Sequence, residues 1–160
     1  MIATTAEAQQ TIAADPAAVY ALVSDVTRMG EWSPETTSCS WISGDGAAVG
    51  AQFRGMNRRG PLRWVTTCTV TSADPGRRFA FSVAFGPFAI ADWAYDITPS
   101  ARGCTVTESW VDRRGLAMKS GSPLVMGIVD RAAHNRAGME KTLAALKAAA
   151  EAEARSKDGR

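Results

Sequence analysis

The sequence predicts an α+β fold: a seven-stranded curved antiparallel sheet wrapped around one long C-terminal helix, with two short helices after the first strand. Three features carry that expectation. Between Thr36 and Trp110, apolar residues recur with a period of two in segments separated by turns too short for the crossovers of a parallel sheet. After Ser122-Pro123 no proline or turn cluster interrupts the chain until Ser156, and the apolar period becomes helical. At 160 residues, 46% hydrophobic and 21% charged, the chain fits one domain with a real core.

The elements follow in order. Ala6 to Ala13 reads as a first strand. Asp15-Pro16 places an N-cap before proline at the first helical position, and Val19, Leu22 and Val23 give the helix an inward face to about Val26. Thr27 to Pro34 reads as a second short helix or turn. Strands are then expected at Thr36–Ile42, Ala51–Asn57 and Arg63–Ser72. Three more carry the inward sets Phe79/Phe81/Val83, Ala91/Trp93/Tyr95/Ile97 and Cys104/Val106/Glu108/Trp110. Ser122-Pro123 repeats the cap-plus-proline start, so a helix is expected from about Pro123 to Ala154, roughly 30 residues and about 45 Å long. Its stripe is Val125, Ile128, Ala132, Met139, Leu143 and Leu146, with Asn135 in the middle. Residues 1–154 form the single domain, and 155–160 are expected to fray.

Composition excludes several classes. Eighteen basic and sixteen acidic residues leave a net charge of +2, too weak and too scattered for a nucleic-acid surface. No apolar run is long enough to insert in a membrane. The first ten residues have neither the basic flank nor the apolar core of a secretory signal, so the expected compartment is cytoplasmic. Cys39, Cys68 and Cys104 are far apart and odd in number, which reads as reduced, buried thiols. No metal-spaced cluster, nucleotide-binding glycine pattern or hydrolase elbow occurs, so neither a metal nor a cofactor is expected.

The order of elements resembles the START-like helix-grip superfamily, and within it the bacterial polyketide cyclase/dehydratase and lipid-transport branch (SRPBCC proteins). The stretches that carry the resemblance are Asp15–Tyr20 (DPAAVY), Met29–Glu35 (MGEWSPE), Val49–Gly55 (VGAQFRG), Asp74–Phe79 (DPGRRF) and Gly138–Leu143 (GMEKTL). The resemblance implies a pocket between the concave sheet face and the long helix. Members bind lipids, sterols, polyketides or hormones, and some catalyse cyclisation or dehydration. It also places Trp32 and Glu35 in the family's lid segment. No established catalytic set carries over residue by residue.

Within that frame, Phe53, Trp64, Phe81, Trp93, Tyr95, Val106, Trp110 and Met139 are expected to line a cavity, with Ile128 from the helix and Trp32 at the mouth. Glu108 shares a strand face with Val106 and Trp110, so burial should raise its pKa and suit it to acid–base work. Tyr95 carries a hydroxyl that needs a partner when buried. Asn135 carries an amide with the same need. Asn57 is a weaker candidate of the same kind. The helical phase puts the lone histidine, His134, at the surface or rim, and Glu35 is expected to pair with Arg54 or Arg58.

Two functions stay open. One is a cofactor-independent cyclase or dehydratase using Glu108 as acid or base, with Tyr95 and Asn135 positioning an oxygen. The other is a non-catalytic carrier or sensor of a lipid or hydrophobic metabolite. Either way the expected partner is a small hydrophobic ligand, and the protein a monomer or homodimer.

Overall fold

A computed structural model describes residues 4–115 and 130–159. Its strands are β1 (Thr5–Ile12), β2 (Thr36–Ser43), β3 (Gln52–Arg59), β4 (Leu62–Asp74), β5 (Arg78–Phe85), β6 (Phe88–Ser100) and β7 (Gly103–Asp112). They form one seven-stranded sheet in the order β1-β7-β6-β5-β4-β3-β2. Every pair is antiparallel: β2 to β7 run as a meander, and β1 returns to pair with β7. Register shifts occur between Thr36 and Ser38, Trp41 and Ser43, Val70 and Ser72, and Val83 and Ala84, where added twist bends the strands. The pairings of β7 carry no shift.

Helix α1 (Pro16–Ser24) begins as its sequence requires, with the Asp15 carboxylate accepting from the Ala17 N–H at 2.9 Å. It buries Val19, Tyr20, Leu22 and Val23, and stops two residues before Val26 because Asp25 caps the next segment through the Thr27 N–H. That segment is a 3₁₀ turn, Val26–Glu31. Gly30 seats it on β2: a Cβ there would lie 2.5 Å from the Thr37 carbonyl oxygen.

The long helix, α2, spans Arg131–Asp158. Asp130 has a non-helical backbone (φ −107°, ψ 91°) and its carboxylate accepts from the Ala133 N–H at 3.0 Å, so α2 starts there. A continuous helix from Pro123 is therefore corrected: Asp130 is an N-cap, not a mid-helix residue. Ser122-Pro123, Val125 and Ile128 lie outside the described residues. At the other end α2 continues past Ala154 to Asp158, where Arg155 and Lys157 favour the negative end of the helix dipole.

α2 buries Ala132, Asn135, Met139, Thr142, Leu143, Leu146 and Ala150. Leu143 and Leu146 join Ile12, Val70, Ile97, Cys104 and Val106 in the main core, against the sheet's concave face. Burying each such aliphatic side chain stabilises the fold by about 1.5–3 kcal/mol.

Candidate functional site

Leu143 and Leu146 fill the gap between sheet and helix at one end only. Nearer its start, α2 presents the small residues Ala137 and Gly138, and a Cβ added to Gly138 would meet only Pro34 within 4 Å. The unfilled space is a cavity of about 720 Å³, within the range of small-molecule sites.

Its apolar wall comes from Phe53, Phe81, Trp93 and Trp110 on the sheet and Met139 on α2, with Trp64 toward the β3–β4 turn. Cys39 and Cys68 add two thiols, which burial pushes up to about 11 and about 12. They are neutral wall groups at physiological pH, not thiolate nucleophiles.

The polar centre is Glu108 with Tyr95. Burial along β7 alternates strictly from Cys104 to Trp110, so Glu108 shares the inward face with Cys104, Val106 and Trp110. The β6–β7 register sets Tyr95 directly opposite Glu108, so that phenol and carboxyl lie side by side on the cavity wall. Glu108 is 3% and Tyr95 4% exposed. Burial pushes the Glu108 carboxyl up to about 8, the neighbouring Tyr95 phenol opposing it in part. Burial, reinforced by Glu108, raises the Tyr95 hydroxyl well above its ordinary value. The Glu108 Oε2 atom, also buried, has no hydrogen-bond partner among the described residues. A buried acceptor without a partner is uncommon and costly. Asn135 lines the same cavity from α2 and is itself buried.

Asn57 also lines the cavity, but its amide is engaged by the protein. It donates to the Thr66 hydroxyl at 3.1 Å and accepts from the Thr36 hydroxyl at 3.2 Å, tying β2, β3 and β4 together.

The mouth is charged. His134 Nε2 and Glu35 Oε1 lie 2.6 Å apart, joining the segment before β2 to the first turns of α2. Glu35 therefore does not pair with Arg54 or Arg58, because α2 brings His134 to it first. The Arg58 side chain instead donates to the Gly60 carbonyl. His134 is half-buried on the rim and lines the cavity. Arg114 donates to both oxygens of Asp112, at 2.9 and 2.7 Å, in a nearly buried pair. Arg63, Arg131 and Lys141 line the same region.

Two expected wall residues lie elsewhere. Trp32 is buried in the main core with its ring under the Arg28 guanidinium, 5.4 Å from centroid to carbon. Its backbone N–H closes the 3₁₀ turn on the Met29 carbonyl, which leaves Met29 to reach the cavity. Val106 is fully buried in the core that contains Leu143 and Leu146, at the filled end of the gap between sheet and helix. Conversely, Arg114 and Arg131 line the cavity although nothing in the strand pattern pointed to them. The spacing of Arg131, Asn135 and Met139, each four residues from the next, is the signal that could have found the second. Among the described residues there is no group of metal-ligating side chains. No described helix is long and apolar enough to cross a membrane.

The sequence model of the family described as polyketide cyclase / dehydrase and lipid transport matches residues 3–151. No curated protein matches the chain. Among solved structures, a polyketide-cyclase-like protein from Corynebacterium glutamicum is 34% identical, with 94% of this chain and 93% of that one covered and a TM-score of 0.63. A protein from Chromobacterium violaceum is 16% identical over 93% of this chain and 99% of its own, with a TM-score of 0.71. The di-domain ARO/CYC protein of the steffimycin biosynthetic pathway is 14% identical, matched over 94% of this chain and 51% of its own length, with a TM-score of 0.71. The likeness to the last two is one of fold.

Proposed function

The chain belongs to the polyketide cyclase/dehydrase and lipid transport family, and from that premise we propose that it binds a small hydrophobic, polyketide- or lipid-like ligand in the cavity and acts on it as a cofactor-independent cyclase or dehydratase. The observation that carries the proposal is Glu108: a buried carboxyl facing a largely apolar cavity, set opposite Tyr95 and with Oε2 unpartnered among the described residues.

With a pKa near 8, this carboxyl is mostly protonated at neutral pH but keeps an ionised fraction. It can therefore hand a proton to a carbonyl oxygen and take one back. In an intramolecular aldol step, the ligand's enol carbon forms a bond to one of its ketone carbons. The ketone oxygen takes the Glu108 proton, and the enol O–H proton returns to the carboxylate, so no redox partner is required. Tyr95 and Asn135 hold the oxygen atoms, and the closed wall folds the chain into reacting shape, which by itself lowers the barrier. The buried, unbridged cysteines support a reducing, cytoplasmic setting.

The mostly apolar wall also supports a second role, carriage of a lipid without chemistry, because a carrier needs no acid or base. Deuterium uptake at the α-carbon of a long-chain methyl ketone, followed by NMR, separates the two. The catalytic role requires faster uptake with the protein and loss of that acceleration in Glu108→Gln while binding persists. Binding without acceleration leaves carriage. Failure of the ketone and of every other apolar probe to bind removes both.

A further inference from the structure

We propose that the open end of the cavity is a docking face for an anionic phospholipid membrane: the β3–β4 and β5–β6 hairpin tips enter the headgroup layer while Arg54, Arg58 and Arg63 meet the phosphates. The inference goes beyond the proposed binding function. It is independent of what Glu108 does, because none of its residues belongs to the polar centre.

The apolar part is the lip of the cavity. The Thr67–Ala84 pairing of β4 with β5 puts the β3–β4 and β5–β6 turns at the same end of the sheet. Leu62 and Phe85 line the mouth there and yet stay exposed, and Phe88 pairs with Phe85 across its turn. Phe85 is 49% and Phe88 56% exposed. On the outer face of the β3–β4 hairpin, Met56 and Val65 stand opposite each other, also exposed. Single exposed apolar residues need no explanation, but these five share one end of the sheet, and a patch of that kind marks a partner.

The charged part flanks it. On β3, Arg54 and Arg58 alternate with the inward Phe53, Gly55 and Asn57, so both face outward with Met56. Arg63 stands directly opposite Arg58 on β4. Like charges opposite each other on neighbouring strands cost stability. None of the three arginines has an ion pair among the described residues, and Arg58 donates only to the Gly60 carbonyl. The one carboxylate of these two strands, Asp74, sits at the far end of β4. The small net charge of +2 therefore hides a basic end. Unpaired arginines beside exposed phenylalanines match the interfacial layer of a membrane, with phosphate oxygens at its surface and hydrocarbon just below. An acidic protein would also supply the charge. However, Leu62 lies further from the Thr67–Ala84 pair than Phe85 does, so the two tips are uneven. A fluid layer accommodates that, whereas a rigid partner needs a matching surface. Docked this way, the mouth opens onto lipid, and an apolar ligand passes into the cavity without crossing water.

The test is flotation with vesicles of phosphatidylcholine, alone or with an equal part of phosphatidylglycerol, at low and high salt. The protein should bind the anionic vesicles at least tenfold tighter than the neutral ones, and high salt should remove the difference. Arg54→Gln/Arg58→Gln should weaken anionic binding at least tenfold, since each basic residue near such a surface is worth about fivefold. Phe88→Ser should weaken it at least threefold. None of these three residues lines the cavity, so both variants should bind a soluble apolar probe as the wild type does. No binding to anionic vesicles, or anionic binding untouched by both variants, overturns the docking face while leaving the cavity's role intact. Self-association that disappears in Phe88→Ser, without vesicle binding, gives the lip to a second copy and also overturns it. Vesicle binding by a wild type that takes up no apolar probe upholds the docking face and overturns the ligand reading alone.

Discussion

Tyr95 and Glu108 stand directly opposite each other on neighbouring strands, and both side chains line the cavity while being almost wholly buried. The pair is nearly sealed from water, so the Tyr95 phenol favours the ionised carboxyl but does not offset its loss of hydration. The carboxyl therefore stays pushed up to about 8, with burial the larger influence. A site built only to pack lipid gains nothing from such a pair, whereas proton transfer at neutral pH needs a group with this pKa.

The raised pKa makes stability depend on pH. Between the ordinary carboxyl value of 4.5 and about 8, the folded protein keeps the Glu108 proton and the unfolded chain has released it. Stability is then full below about 4.5 and falls as pH rises, by at most about 1.4 kcal/mol per pH unit from this group. Glu108→Gln removes the titration. Urea unfolding from pH 5 to 9 should show the variant matching the wild type at the acid end and exceeding it by a few kcal/mol at the alkaline end. Parallel profiles for the two proteins would show that Glu108 is not held protonated.

Tyr95→Phe should raise the Glu108 pKa further, because the neighbouring phenol is the group that lowers it. The stability cost should be about 1 kcal/mol at pH 6, where the carboxyl is neutral, and larger at pH 9, where a charged acceptor loses its donor. The infrared carboxyl band, titrated in both proteins, reads the shift directly.

Val106→Ala tests the boundary between core and cavity. The side chain is fully buried beside Leu143 and Leu146, so truncation should cost about 2 kcal/mol. Since Val106 is not part of the cavity wall, the affinity for an apolar probe should stay within twofold of the wild type. Phe81→Ala, which opens the wall itself, should change both stability and affinity.

Gly30→Ala should destabilise the seat of the 3₁₀ turn on β2. The new Cβ would meet the Thr37 carbonyl oxygen at 2.5 Å, against backbone that cannot rotate away. A loss of about 1–3 kcal/mol in denaturant unfolding is expected, as for other overpacked sites.

How much of this was legible beforehand depended on whether a residue's position follows from its own element. Strand side chains alternate, and β7 pairs on both sides without a register shift, so the face of Glu108 could be read from Cys104, Val106 and Trp110. The helical stripe of Asn135, Met139, Leu143 and Leu146 was readable for the same reason, being a property of one period. The sequence by itself therefore determined the order of elements, the antiparallel meander and the inward sets of strand and helix. Tertiary structure decided which inward residues meet core and which meet space. Val106 and Trp110 share a face of β7, but Leu143 and Leu146 fill one end of the gap while Ala137 and Gly138 leave the other open. It also decided the mouth, where His134 meets Glu35 across 99 residues and Arg131 nears Arg114 only because α2 starts at Asp130. Periodicity reports the direction of a side chain; what lies opposite it is set by another segment, and that distance is not written in either one.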